Sequence, residues 1–273
     1  MKAGVLAAWV LSLSTLIAGN ASAAAAPEKP ALPQPARLAD GKPNLTGFWT
    51  PVGGLMERNF GPGAVAGPPR STNGTQVPAS RHPPLKSPYK EKYETVREAS
   101  ARGQVLYDPT ALCLPPGMPR MMSAIYGMEI LQTPGQITIT GEWQAAQRRI
   151  WLDGRKQVDL DEVLPAYAGY SVGRWEGDTL VVDTIGVRDD VLIEQSGLPI
   201  SDALRLTERI QLSKDEPGIL VDEITIDDPK VFTEPWTRTF RYRYRPELNI
   251  QEYVCLENNR NVDSNGAPVF DQQ

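Results

Sequence analysis

The chain predicts an all-β fold, an antiparallel meander closing into a barrel, with one N-terminal helix and long Pro/Gly-rich loops. Two observations carry that expectation. Ser171-Val-Gly-Arg-Trp-Glu-Gly-Asp-Thr-Leu-Val-Val-Asp-Thr184 places two strand-like runs around a Gly-Asp turn, a strong hairpin signal. From Met128 onward, further runs of the same kind follow one another, separated by turn residues.

The elements follow in chain order. Lys2, the apolar run Val5 to Ala18 and Ala21-Ser22-Ala23 read as a signal peptide over residues 1–23. The apolar run is too short for a favoured membrane span, so the expectation is a periplasmic or secreted protein without stable membrane insertion. Residues 24–43, rich in Ala and Pro, read as a flexible tether, and residues 44–273 as a single β-barrel domain.

Gly41 to Trp49 looks like the entry to a first strand. Pro51 to Pro84 is a long irregular excursion of Gly, Pro, Ser and Arg. Pro88 to Ala101 predicts a helix, because Tyr89, Tyr93, Val96 and Ala99 recur at helical spacing and Gly103 follows. Tyr107 to Arg120, dense in Pro and Gly, predicts a fixed loop without regular structure. Strands are expected over Glu129 to Gln132, Ile137 to Trp143, Arg148 to Asp153, the two arms of the hairpin, Leu204 to Ser213, Gly218 to Asp227, Trp236 to Tyr244 and Ile250 to Leu256. Longer connections, Arg155 to Gly169 and Gly186 to Ala203, interrupt the meander.

In the hairpin, pairing Glu176 with Thr179 sets Trp175 beside Leu180, Gly173 beside Val182 and Ser171 beside Thr184. Arg174 and Asp183 then lie diagonally on the opposite face. Two resemblances can be stated from such segments. Gly47-Phe48-Trp49 before a β meander resembles the Gly-x-Trp opening of lipocalin-like barrels. The combination Asp40-Gly-Lys-Pro-Asn-Leu-Thr-Gly-Phe-Trp49, Cys113-Leu-Pro-Pro-Gly-Met-Pro-Arg120, Arg149-Ile-Trp-Leu-Asp-Gly-Arg155 and Gly173-Arg-Trp-Glu-Gly-Asp-Thr-Leu-Val-Val-Asp183 is similar to a group of exported, largely uncharacterised bacterial proteins. That second resemblance implies export and no particular activity.

A formal net charge of -5 argues against a nucleic-acid partner. The two cysteines, Cys113 and Cys255, read as a disulfide in an oxidising compartment, joining an early loop to the last strand. The competing reading is two free thiols or one catalytic thiol, to which the single histidine, His82, gives little support. Nucleophile-elbow, phosphate-loop and dinucleotide motifs are missing, and a His- or Cys-based metal site lacks ligands, so no cofactor or metal is expected. Asp159, Asp161 and Glu162 form an acidic cluster without calcium-loop spacing and read as a solvated loop.

Chemistry is expected from charge on faces that should be apolar. Glu208 shares a face with Leu206, Ile210 and Leu212, and Asp222 shares one with Leu220, Ile224 and Ile226. Two carboxylates in a desolvated interior repel, and one then holds its proton, as a general acid and base require. The competing reading turns Val221, Glu223 and Thr225 inward and leaves the acids in water. Tyr242, on a face with Trp236, Arg238, Phe240 and Tyr244, is the third candidate catalytic group. Trp175, Tyr244, Tyr167, Tyr170 and Arg120 are candidate substrate contacts, the last three at a rim or lid. Arg148 and Arg149 are adjacent, so one of them points inward. These residues suggest cofactor-free acid–base chemistry (lyase, isomerase or hydrolase) on a small apolar or aromatic organic molecule. The alternatives are a non-catalytic lipocalin-like binding protein of the cell envelope, or an envelope assembly protein using the Pro51 to Pro84 segment.

Overall fold

The computed structural model describes residues 35–52, 83–102, 104, 108–194 and 197–258. Strands β1 (Gly47–Pro51), β2 (Met128–Thr133), β3 (Gln136–Gly141), β4 (Gln147–Trp151), β5 (Tyr170–Glu176), β6 (Thr179–Ile185), β7 (Arg205–Leu212), β8 (Ile219–Asp227) and β9 (Trp236–Tyr244) close into one barrel in chain order. The ring is sealed by β1 against β9, with Trp49 opposite Tyr244, so neither strand is left as an exposed edge. The fold is thus the expected all-β, lipocalin-like barrel, with the helix α1 (Tyr89–Ala101) outside it.

The hairpin of β5 and β6 has the register the sequence implies, from Glu176 opposite Thr179 to Ser171 opposite Thr184. Arg174 Nη1 donates to Asp183 on the outer face at 2.7 Å. On α1, Tyr93 and Ala99 are buried, and Val96 between them lies against Gly197. At Gly197, with φ +86°, a Cβ would sit 2.5 Å from Val96 Cγ1, so only glycine fits that approach.

Several expectations need correction. The meander is not wholly antiparallel, because β4 and β5 run parallel through Ile150 opposite Ser171 and Trp151 opposite Val172. The connection from Leu152 to Gly169 is long enough to carry the chain back along the barrel, as a parallel pair demands. Ile250 to Leu256 is not a strand: β1 already occupies the free edge of β9, and Cys255 opens a 3-10 turn, Cys255–Asn258. The proline-rich loop also holds some regular structure, in the 3-10 turns Pro109–Leu112 and Arg120–Ser123. Residues 35–43 are not a free tether. Arg37 pairs with Asp178 in the hairpin turn, and Gln132 binds Leu45 N and Pro43 O, so the folded body starts before Asn44. The expected signal peptide, His82 and most of the Pro51 to Pro84 excursion lie outside the described residues.

The inside of the barrel is filled by Ile130, Ile137, Ile139, Ile150, Leu180, Leu206, Ile210, Leu220, Ile224 and others, all buried. By topology, the long β1–β2, β6–β7 and β8–β9 connections meet at one end of the barrel. There Met121 and Met122, on the Arg120–Ser123 turn, enter the core. The Cys113–Cys255 disulfide holds the start of this segment across 142 residues of sequence. Asp228 secures the same end from the β8–β9 side, accepting from Ser201 N at 2.6 Å and Ser201 Oγ at 2.7 Å.

Candidate functional site

Strand alternation decides where the acids point. On β7, Leu206, Glu208 and Ile210 are buried while Arg205, Thr207 and Arg209 are exposed. On β8, Leu220, Asp222, Ile224 and Ile226 are buried, and Glu223 is exposed. Glu208 and Asp222 therefore both enter the barrel at 0 % exposure, and the competing outward reading does not hold. Glu208 stands opposite Ile224 and Asp222 opposite Ile210, so the two acids are diagonal neighbours on one inner wall.

Each acid meets a different environment. Arg148, 1 % exposed on β4, reaches across the interior and grips both oxygens of Glu208, Nη1 to Oε1 at 2.8 Å and Nη2 to Oε2. The same guanidinium donates to Ser171 Oγ from Nε at 3.2 Å and to Thr184 Oγ1 from Nη2 at 2.9 Å, while the two hydroxyls bond each other at 2.8 Å. The result is a satisfied polar knot joining β4, β5, β6 and β7. Burial opposes the charge of Arg148, yet the facing Glu208 carboxylate prevails and its proton is held more tightly than in water. Glu208 is consequently engaged at both oxygens and is not a free base.

Asp222 has no such partner. Neither of its carboxyl oxygens makes a hydrogen bond among the described residues. It borders a central cavity of about 10 Å³, room for roughly one water. The other walls are Leu45, Met122, Met128, Ile130, Ile137, Ile139, Ile150, Leu180, Ile210 and Leu220. Burial, and then the negative Glu208 beside it, push the Asp222 carboxyl well above the usual carboxylate range, with Arg148 opposing. The interior thus favours the protonated form of Asp222.

Tyr242 lies diagonal to Asp222 across the β8–β9 ladder, where Leu220 faces Tyr242 and Asp222 faces Phe240. It is 2 % exposed, and its hydroxyl donates to the Met122 carbonyl at 2.5 Å. Burial and the nearby Asp222 and Glu208 push its phenol well above its ordinary value. The three expected catalytic side chains thus converge inside the barrel, but Met122 and its neighbours close the interior from solvent.

The expected substrate contacts scatter. Trp175 and Tyr244 face inward as half-buried packing groups, with Tyr244 tilted against Trp49 at 5.1 Å between ring centres. Gly173 leaves no ligand space beside Trp175: a Cβ there would lie 2.8 Å from both Ile150 Cγ2 and Leu152 Cδ2. Arg120 is 4 % exposed and forms a two-point ion pair with Asp108, Nη1 to Oδ1 at 2.8 Å and Nη2 to Oδ2 at 2.6 Å. It fixes the loop instead of offering a free cation, because its guanidinium is spent on that carboxylate and on the Trp143 face at 5.1 Å. Tyr167 packs on the core under the Arg188 guanidinium, 4.9 Å from its ring centre. Tyr170 belongs to the outer face of β5, where Arg155 donates to its hydroxyl at 3.4 Å, and so cannot line the interior.

Sequence reasoning overlooked Arg148 as the hub, and Ser171 and Thr184 as its hydroxyl partners. The signal for the hydroxyls was present in the hairpin register, which sets them opposite each other on the inward face. Asp159, Asp161 and Glu162 are exposed, on and beside the 3-10 turn Leu160–Glu162. An outer recess of about 540 Å³ runs past Asp161, Asp189 and Asp202 over Val163, Pro165 and Val187. Asp202 is already paired there with Lys230. Among the described residues, no group of His, Cys, Asp and Glu could hold a metal ion.

The site therefore belongs to a barrel with a buried acid in its middle that has no hydrogen-bond partner among the described residues. Compared with family models, with curated proteins and with solved structures, the chain matches none.

Proposed function

We propose that this protein is an exported, lipocalin-like barrel that admits a small, largely apolar organic molecule and performs cofactor-free acid–base chemistry on it, of the lyase, isomerase or hydrolase type. The observation that supports this reading most is Asp222. A carboxyl buried without a hydrogen bond costs the fold stability, and such groups concentrate where a proton must be handed over. Asp222 is the proton donor in this reading. Tyr242 is a second donor once Met122 releases its hydroxyl, and burial, aided by the neighbouring Glu208, favours the protonated form of Asp222. Admission requires Met121 and Met122 to swing out of the barrel end, since a drug-sized ligand needs several hundred Å³.

The Cys113–Cys255 disulfide and the signal-like N-terminus support a periplasmic or secreted location. Among the described residues no helix is long and apolar enough to cross a membrane.

The test is product formation when the pure protein is incubated with phenolic, terpenoid and glycoside panels, alongside Asp222→Asn. Loss of a general acid should lower turnover by about two to four orders of magnitude while the fold remains intact. Equal rates in the two proteins would remove Asp222 from the chemistry. Binding of a panel member without product would favour the non-catalytic reading.

A further inference from the structure

We propose that the interior site selects a neutral ligand carrying one hydrogen-bond acceptor, such as a carbonyl or ether oxygen on an apolar skeleton, and that Asp222 is the specificity-determining donor. This rests on the reading that the barrel interior receives a ligand. Asp222 is the one polar residue among those bordering the central cavity. Its oxygens have no partner among the described residues, so its O–H is available to an incoming group.

Of the other inward polar side chains, Trp236 also has a buried N–H without a partner among the described residues, but it does not border the cavity, and those nearest Asp222 are committed. Arg148 binds Glu208, Ser171 and Thr184, so it is not free to receive a carboxylate or phosphate ligand. An anion would meet Glu208 at close range and would also have to shed its water. A polyol would leave most of its hydroxyls facing Leu45, Ile130, Ile137 and Ile150. A cationic amine could draw the proton from Asp222, but it would enter against the positive Arg148, which already acts on the Asp222 carboxyl. A pure hydrocarbon would fill the space and leave the Asp222 O–H unsatisfied. A ketone or ether satisfies it with a single bond.

Met122 and Met128 both border the cavity, so their methyl groups report occupancy directly. The experiment titrates methyl-labelled full-length protein with cyclohexanone, cyclohexylamine, cyclohexanecarboxylate and methylcyclohexane at about pH 6, following these two methyl signals. The expected result is displacement of both signals by cyclohexanone, with affinity about tenfold above that of methylcyclohexane, a factor typical of one hydrogen bond. Asp222→Leu should reduce the ketone to the level of the hydrocarbon. Asp222→Asn, whose amide can still donate, should retain most of the preference. Tighter binding of the amine or the carboxylate, or an undiminished ketone preference in Asp222→Leu, overturns the assignment while leaving interior binding in place. If no probe moves either methyl signal, the interior does not receive ligands, and the functional reading falls together with this one.

Discussion

Arg148 and Glu208 form a two-point ion pair across the inside of the barrel, and they do so beside its weakest seam. The ladder between β4 and β5 has only two register pairs, and the arms of Arg148 reach β5, β6 and β7 from the inside. Hydrogen bonds missing from the backbone ladder are in effect replaced by one guanidinium. Removing either partner leaves the other as an uncompensated buried charge. Arg148→Met and Glu208→Leu should each lower stability by about 3–5 kcal/mol. The double variant should recover much of that loss, because apolar groups of similar size can replace a buried pair. Chemical denaturation of the four proteins gives the coupling energy, and additive losses would show that the pair is not the unit that matters.

Asp222 makes stability depend on pH in a defined direction. Its folded-state value is raised above that of the unfolded chain, where an aspartate titrates near about pH 4. The folded protein therefore binds more protons between those two values. Its full stability is present below the unfolded value and is lost as pH rises through the folded one, at up to about 1.4 kcal/mol per pH unit for a single proton. Asp222→Asn should lack this slope. Subtracting its stability from the wild type's isolates Asp222 from other titrations, including that of Asp108. Asp108 works the other way: burial raises it, but Arg120 prevails and lowers it, so its contribution disappears in acid. A difference that stays flat as pH rises from the unfolded-state value would contradict this account.

Tyr242 ties the stopper to the barrel wall through the Met122 carbonyl. Tyr242→Phe removes the donor and leaves a buried carbonyl short of a partner, costing about 1–3 kcal/mol. The loss should be local as well as global. Amide exchange at residues 118–123 is expected to accelerate more than exchange at β7 and β8. Uniform acceleration across the barrel would mean that the tyrosine only packs.

The Cys113–Cys255 bond closes a loop of 142 residues, for which chain entropy predicts about 5 kcal/mol as an upper figure. Replacing both cysteines by serine should lower the thermal midpoint while leaving the barrel's strand content intact. Retention of the wild-type midpoint would show that the ends of the loop are held equally well by other contacts, such as Gln251 N donating to Glu142 Oε1 at 3.0 Å.

The local parts of the fold were readable because they depend on near neighbours in the chain. The Gly-Asp turn sets the β5–β6 register, and a two-residue period places Glu208 with Leu206 and Ile210. What the sequence did not disclose depends on distant residues. Ile250 to Leu256 has the composition of a strand, yet the place it would need was taken by Gly47–Pro51 at the other end of the chain. Arg148 and Arg149 could not be told apart, because Ile150 and Trp151 make both faces of β4 apolar. The choice is made by Glu208 waiting 60 residues away. Arg120 looked like a rim cation for a different reason. Its partner, Asp108, is close in sequence but carries no pattern that announces a buried pair.

The seam between β1 and β9 joins Trp49 to Tyr244, so no N-terminal fragment contains a closed barrel. A growing chain cannot close the ring before β9 has been made. The disulfide imposes the same order, since its second sulfur comes later still. Closure of this ring therefore waits on the latest strand in the chain: until Trp236–Tyr244 can pair with Gly47–Pro51, both neighbours of that seam remain open edges.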